Sequence, residues 1–503
     1  MKCAHQFFRR IIRMTVISEA ILNKYEAVIG LEVHVQLSTK SKAFCSDSAS
    51  FGNQPNTNIS PVSLGLPGAL PYTNEAMIKS AVKLGLAIQS EINRFNYFDR
   101  KNYFYADLPK GFQTTQDNQP ICKGGKLKII LSDGTTKDIL LNRIHMEEDA
   151  GKSIHDIDPL YSYIDLNRAG VPLLEVVSEP MISSGEEAAA YLTELRKLVR
   201  YLDICDGNME EGSMRCDANI SVRLKGETAL GKRCEVKNLN SIKNVQKAIE
   251  YEIIRQINLI EKGVIIEQNT LNFDASTGIT TPLRSKEMAN DYRYFPEPDL
   301  LPIALSEAYI NEIEAAMPAL PEQLVAKFTQ EMNLPEYDAR VITAEKAMAD
   351  YYLAITDSCE NCKTASNWVM GPVKSYLNDK GLNFTDFSVA ADKIAAIINL
   401  VEEGKLNNNQ AKDVLFPAVI NHPDKEVKLL AEELNLIIND NHDELEGFID
   451  AAVAKFPDKV TEYHNGKKGV LGLFMGEVMK ISKGKIDPKK ANQVLINKIE
   501  SLR

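Results

Sequence analysis

The run Leu31-Glu32-Val33-His34-Val35-Gln36-Leu37 alternates apolar and polar side chains. Side chains of a strand point to opposite faces in turn. Leu31, Val33, Val35 and Leu37 therefore share one face, and Glu32, His34 and Gln36 share the other. A carboxylate and an imidazole two residues apart on one face can share a cation. The run Arg215–Arg223 repeats the pattern, with Asp217, Asn219 and Ser221 opposed to Cys216, Ala218, Ile220 and Val222. Donors of this kind suit a hard divalent ion, and magnesium is the natural reading. Magnesium points to phosphates, and phosphates to ATP.

Further acids stand in similar settings. Glu175 lies within Val171-Pro-Leu-Leu-Glu-Val-Val177, where an ionised carboxylate needs a cation or hydrogen bonds; a salt-bridged strand residue reads as well as a ligand. Glu147, Glu148 and Asp149 crowd together after His145, as a metal site or as a solvated acidic turn. Glu210 and Glu211 read as solvated acids. Glu235 and Lys237 alternate with Cys234 and Val236, so an acid and an ammonium face one site or form a cross-strand pair. No single signal is specific; their coincidence in one region is. No Walker loop and no G-x-G-x-x-G is present, so ATP would be held mainly through metal. Neither an amidase-type Gly-Gly-Ser-Ser-Gly signature nor a G-x-S-x-G elbow occurs. Cys359-Glu-Asn-Cys362 has no second cysteine pair nearby, and four ligands are needed for structural zinc.

Long segments must carry these residues. Strand-like alternation runs through 27–37, 126–131, 139–146, 215–224 and 233–236, with amphipathic helices at 74–86, 185–202 and 242–262 between them. Long Pro- and Gly-containing loops surround them. After Pro302 helical periodicity takes over. The expected fold class is therefore α+β: a sheet-rich cradle or kinase-like domain at 25–302, an all-α domain at 303–430 and a small helical tail at 431–503, after a disordered extension at 1–24. In the tail, Lys480, Lys483, Lys485, Lys489 and Lys490 outnumber the neighbouring acids and could neutralise RNA phosphates. A solvated helix face is the plainer alternative. Gly469, Gly472 and Gly476 nearby read as allowing close helix packing.

Composition sets outer limits. The chain of 503 residues is 44% hydrophobic and 25% charged, as soluble globular proteins are. Its net charge of −11 gives no general attraction to nucleic acid, so RNA contact needs a local basic patch. No run approaches the ~20 apolar residues of a membrane span, and no membrane partner is expected. Eight scattered cysteines suggest a reducing compartment, and a cytoplasmic location is expected. Met1–Arg13 carries four basic residues and no acid; it reads as an over-extended start, with Met14 the alternative, in preference to a mitochondrial or other organellar targeting segment.

Several long motifs resemble one family, that of the B subunits of the glutamine-dependent aspartyl/glutamyl-tRNA amidotransferase. They are Val28-Ile-Gly-Leu-Glu-Val-His-Val-Gln-Leu37, Leu64-Gly-Leu-Pro-Gly-Ala-Leu-Pro71, Asp99-Arg-Lys-Asn-Tyr-Phe-Tyr105, His145-Met-Glu-Glu-Asp-Ala-Gly-Lys152, Met209–Ser221, Lys237-Asn-Leu-Asn-Ser241 and Asp291-Tyr-Arg-Tyr-Phe-Pro-Glu-Pro-Asp299. The resemblance spans about Tyr25 to Arg503. It implies ATP- and Mg2+-dependent phosphorylation of the side-chain carboxylate of Glu-tRNA(Gln) or Asp-tRNA(Asn), then amidation by ammonia. It also implies an amidase-type glutaminase A subunit and a small C subunit as partners. It places catalysis at Glu32, His34, Glu148, Glu175 and Asp217, and the metal at these with Glu235. Glu147 is kept beside Glu148, because strand parity sets it on the face of His145. Asn219, Lys237, Arg284, Lys286 and Arg293 are candidate substrate or phosphate ligands. Many members resemble a zinc knuckle before Gly65; here Asp47, Ser60 and Ser63 stand where three of its cysteines would, and no zinc is expected. Two rival readings are a non-catalytic tRNA-binding scaffold and an ATP-dependent ligase acting on a free amino acid.

Overall fold

The computed structural model describes residues 17–285, 291–438, 442–482, 486 and 488–502, and the chain divides into two compact units, 1–320 and 321–503. The first is built on β1 (Tyr25–Gln36), which places its charged face at the centre of a sheet. Leu31, Val33 and Val35 are fully buried on one side, and Glu32, His34 and Gln36 are half-buried on the other. Each such Leu or Val contributes about 2 kcal/mol by burial. A slip of one residue would trade these three for a carboxylate, an imidazole and an amide, so the register is fixed.

Around β1 the order follows from pairing. β2 (Phe112–Thr115) lies in a small separate sheet. β3 (Thr136–Glu148) pairs with β4 (Pro172–Ser178), β4 with β1, β1 with β5 (Met214–Leu224), and β5 with β6 (Cys234–Lys237), all antiparallel. β7 (Asn269–Asp274) runs parallel to β6, and β8 (Ile279–Ser285) pairs antiparallel with β7. Parallel neighbours require a crossover, and the helix 242–261 supplies it.

Three helices cover the apolar face: α1 (Glu75–Ala87), α2 (Gly185–Tyr201) and α3 (Ile242–Glu261). Met77, Tyr191, Leu195, Val245 and Ile249 join Leu31, Val33 and Val35 in one core. Ser184 and Ser241 cap α2 and α3 by accepting the Glu187 and Asn244 N–H groups at 3.1 and 3.2 Å. Gly185 is required for the approach of these helices, since a Cβ there would lie 2.7 Å from the Gln246 carbonyl oxygen. The helix α4 (Glu307–Ala315) sends Ile310 and Ile313 into the same core, which carries this unit past residue 302 to Leu320. At the other end, residues 19–22 of the expected disordered extension form a helical turn, and Ile21 and Leu22 pack on Tyr25, Val222 and Ile257.

The second unit is helical. Val427–Glu433 crosses the expected boundary at 430 and packs beside Ala391–Glu402, burying Val427, Leu430 and Ala431. The tail helices His442–Lys455, Leu471–Ile481 and Pro488–Ser501 enclose Ile449, Phe474, Val478, Leu495 and Ile499. Among the described residues nothing beyond their own chain neighbours and helix backbone lies within 4 Å of where a Cβ would stand on Gly469, Gly472 or Gly476, so close packing there does not account for them. No helix among the described residues is long and apolar enough to cross a membrane.

Candidate functional site

Strand register turns four separate stretches of sequence into two rows of polar side chains. Arg215, His34, Glu175 and His145 lie opposite one another across β5, β1, β4 and β3. The adjacent row carries Asp217 and Glu32, and Asn219 faces Glu235 one row further on. Directly opposed residues share a face, so all of these project from the side of the sheet that the helices leave open.

The side chains gather into two groups. In the first, His34 Nε2 lies 3.4 Å from Glu175 Oε2 and 3.6 Å from Glu147 Oε1. His145 Nε2 lies 3.2 Å from Glu175 Oε2 and 3.8 Å from Glu147 Oε2. Thr115 of β2 donates to Glu147 Oε2 at 3.3 Å. In the second group, Glu32, Asp217 and Glu235 bring one oxygen each within 4.8 Å of one another. Asn219 donates to Glu32 at 2.9 Å, Thr270 to Glu235 at 2.9 Å, and the Lys237 ammonium pairs with Asp217 and, at 3.0 Å, with Glu235.

The charges respond as packed like charges must. Burial raises the Glu32 pKa, and the Glu175, Asp217 and Glu235 carboxylates raise it further. Burial pushes the His34 and His145 imidazoles down, but Glu175 and Glu147 outweigh it and hold each at about 9. Glu175 is correspondingly held well below the ordinary carboxylate range against the effect of burial. Lys237 is raised by Asp217 and Glu235, again against burial. The five carboxylates of these two groups, with the Lys237 ammonium among them, fit a divalent cation. Glu32, Asp217 and Glu235 offer the all-oxygen set a hard ion takes; His34, Glu147 and Glu175 offer a mixed one.

The family model described as the GatB/GatE catalytic domain matches residues 27–311, which hold this whole site, and that described as the GatB domain matches residues 350–499. B subunits of the aspartyl/glutamyl-tRNA(Asn/Gln) amidotransferase are similar over nearly the full length. That of Syntrophotalea carbinolica is 46% identical over 477 residues, 95% of this chain and 99% of the relative. Those of Chlorobium chlorochromatii (46% over 476 residues) and Rickettsia rickettsii strain Iowa (45% over 483) cover 95% and 96% of this chain and 99% of each relative. The chain belongs to this B-subunit family.

Within this B-subunit fold, Glu32, His34, Glu147, Glu175, Asp217, Asn219, Glu235 and Lys237 are brought to one sheet face, and Glu148 is not. β3 pairs in regular register with β4 from Arg143 to Glu148, so Glu148 points away from His145 and Glu147. It pairs with Lys110 and accepts the Thr114 N–H at 2.9 Å. Asp149 is held by Arg215 at 2.8 Å and Arg168 at 3.5 Å. Arg293 is exposed, with a left-handed backbone (φ 44°) and its N–H on Asp291 at 3.1 Å; among the described residues no contact ties it to either group. The backbone of Arg284 is in register with Thr270, while its side chain and all of Lys286 lie outside the described residues. Lys480 and Lys490 stand on tail helices; Lys483, Lys485 and the Lys489 side chain lie outside the described residues.

Two groups escape a reading of the sequence. His145 is a full member of the first group, and its signal is present, since it stands two residues before Glu147 on one strand. Thr115 carries no such signal, because β2 meets β3 only in the fold. In the loop at 45–63, Cys45 Sγ lies 3.5 Å from Ser63 Oγ, and Ser63 also bonds Asp47. Among the described residues no group of three metal-binding side chains includes Cys45, Cys359 or Cys362.

A pH dependence follows. Each imidazole is raised from 6.5 to about 9 in the folded protein, so its protonated form stabilises the ion-free fold fully below pH 6.5. That contribution is lost as pH rises through 9. A metal must displace the His34 proton to use Nε2, so divalent affinity should rise by up to tenfold per pH unit between 6.5 and about 9, then level off. Mn2+ titration monitored by spin resonance across that range checks both the slope and the plateau.

Proposed function

We propose that this chain phosphorylates the side-chain carboxylate of Glu-tRNA(Gln) or Asp-tRNA(Asn) with ATP and lets ammonia convert it to the amide. A carboxylate repels nucleophiles and has no leaving group. Its oxygen attacks the γ-phosphorus of ATP, ADP departs, and the acyl phosphate formed has phosphate to lose. Ammonia then adds at the carbonyl carbon, phosphate leaves, and a proton is released. The relatives are named as B subunits of an aspartyl/glutamyl-tRNA amidotransferase. The observation that carries the reading here is the convergence of five carboxylates on one sheet face.

The residues divide the work. Glu32, Asp217 and Glu235, with His34, Glu147 and Glu175, would hold Mg2+. When bound, the ion supplies positive charge to the phosphoryl oxygens. Lys237, fixed between Asp217 and Glu235, presents an ammonium to the same region, and Asn219 holds the Glu32 carboxylate in place. The polar face is half-buried, which limits water around an acyl phosphate that water would destroy. Ammonia must come from elsewhere, since no glutaminase motif is present. An amidase-type A subunit would generate it, and a small C subunit would brace the pair.

The test is amidation by the reconstituted complex with ATP and each misacylated tRNA in turn. Amide formation on either, dependent on ATP, supports the reading; equal turnover of free glutamate would favour a small-molecule ligase. The tail lysines Lys480, Lys483, Lys485, Lys489 and Lys490 are proposed to neutralise tRNA phosphates. Replacing Lys480 and Lys490 by glutamate should weaken tRNA binding and lower the slope of log affinity against log salt by about 1 per lysine. An unchanged slope would make these residues ordinary surface.

A further inference from the structure

We propose that His145 is a positioning residue, whose Nε2–H aims the Glu175 and Glu147 carboxylates at the divalent ion that His34 helps to hold. The inference rests on the metal reading given under Proposed function and adds a residue to it.

His145 and His34 reach the same Glu175 oxygen, at 3.2 and 3.4 Å, from different strands. Their surroundings differ. The His34 side chain retains 21% exposure and faces the open side of the group, whereas that of His145 retains 5%. The His145 Nδ1 is buried with no hydrogen-bond partner among the described residues, so the ring is tethered through Nε2. Its donor face meets carboxylates: Glu175 within hydrogen-bond distance and Glu147 at 3.8 Å.

A buried donor behind a pair of carboxylates does what outer-layer groups do at metal centres. On Glu147 it stands on the Oε2 side and leaves Oε1 toward His34; on Glu175 it meets the same Oε2 as His34 and fixes the direction of the whole carboxylate. Thr115 approaches the same Glu147 oxygen, donating to Oε2 and leaving Oε1 toward His34. Without His145, two neighbouring carboxylates lose the donor that holds them close. They would swing apart, and the ion would have to pull them together at the cost of affinity.

The experiment is Mn2+ titration of the full-length chain by spin resonance, alongside thermal melting. His145→Leu keeps much of the ring's volume and removes the donor; His145→Gln returns an N–H near the position of Nε2. Leucine should weaken Mn2+ binding about 10–100-fold, with glutamine recovering most of the loss. A leucine variant that melts lower yet binds Mn2+ as the parent does would make His145 a packing residue and overturn the proposal. Equal weakening by leucine and glutamine would overturn it too, since the donor would not be the cause. His34→Ala and Glu147→Ala serve as controls. If neither alters Mn2+ binding, the metal reading fails; if both abolish it and His145→Leu has no effect, the positioning role alone fails.

Discussion

Glu147→Gln should reduce ATP-dependent activation of the aminoacyl carboxylate by on the order of 10^2–10^3-fold, while Glu148→Gln should chiefly destabilise the fold. Adjacent residues on a strand face opposite ways, so these two glutamates live in different environments despite their shared burial. Glu147 contacts His34, His145 and Thr115 within the first polar group. Its loss removes one of the proposed metal ligands, and several kcal/mol of transition-state charge stabilisation correspond to that fold-change at about 1.36 kcal/mol per tenfold. The amide can still accept from Thr115, and Glu175 still faces both imidazoles, so the melting temperature should fall less than in Glu148→Gln.

Glu148 answers to different physics. It is 4% exposed, pairs with Lys110 and accepts the Thr114 N–H. Glutamine there can still accept from Lys110 but removes the counter-charge of a largely buried ammonium, a change worth up to about 3 kcal/mol. Replacing both partners, with Lys110→Met and Glu148→Leu, should recover much of that loss, because a matched apolar pair leaves no charge behind. Melting, Mn2+ affinity and activation measured on the same variants separate the two roles. Should Glu148→Gln abolish Mn2+ binding at unchanged stability while Glu147→Gln keeps it, the assignment of faces is wrong.

The contrast marks where sequence suffices and where it stops. Alternation in 31–37 and 215–223 identifies the polar face correctly, because a period of two is a local property. The helices at 185–202 and 242–262 are equally visible, since their apolar stripe repeats within each segment. Parity from His145 already favours Glu147 over Glu148, and the regular pairing of Arg143–Glu148 with β4 keeps that parity. Register between strands is not local. Nothing in the sequence states that Glu32 meets Asp217, or that His34 meets Glu175, and so nothing in it divides the acids into two groups. The limit of the first unit is obscured for the same reason. Helical periodicity after Pro302 is genuine, yet Ile310 and Ile313 bury against the N-terminal core. Arg293 shows the converse: its basic character suggests a phosphate ligand, whereas its left-handed backbone belongs to a local turn on Asp291.

Asp217→Asn separates an enzyme from a scaffold. Asparagine keeps the shape and can still accept from the Lys237 ammonium, so the strand pairing with Glu32 should survive. What goes is one charge from a trio whose crowding already raises the Glu32 pKa. With that charge removed, Glu32 should ionise more readily, and the Lys237 ammonium should keep its ion pair with Glu235 and only a neutral acceptor at 217. The proposed cation would then be held by two carboxylates instead of three, and ADP release in the presence of misacylated tRNA should fall about a hundredfold. The tail lysines belong to the other compact unit and are untouched, so tRNA affinity and its salt slope should match those of the parent. A scaffold predicts the reverse pattern: activation by the complex would continue unchanged, because its chemistry would lie in another subunit. Persistence of ADP release at parental rate in Asp217→Asn, with tRNA still bound, would therefore remove the phosphoryl-transfer chemistry from this sheet.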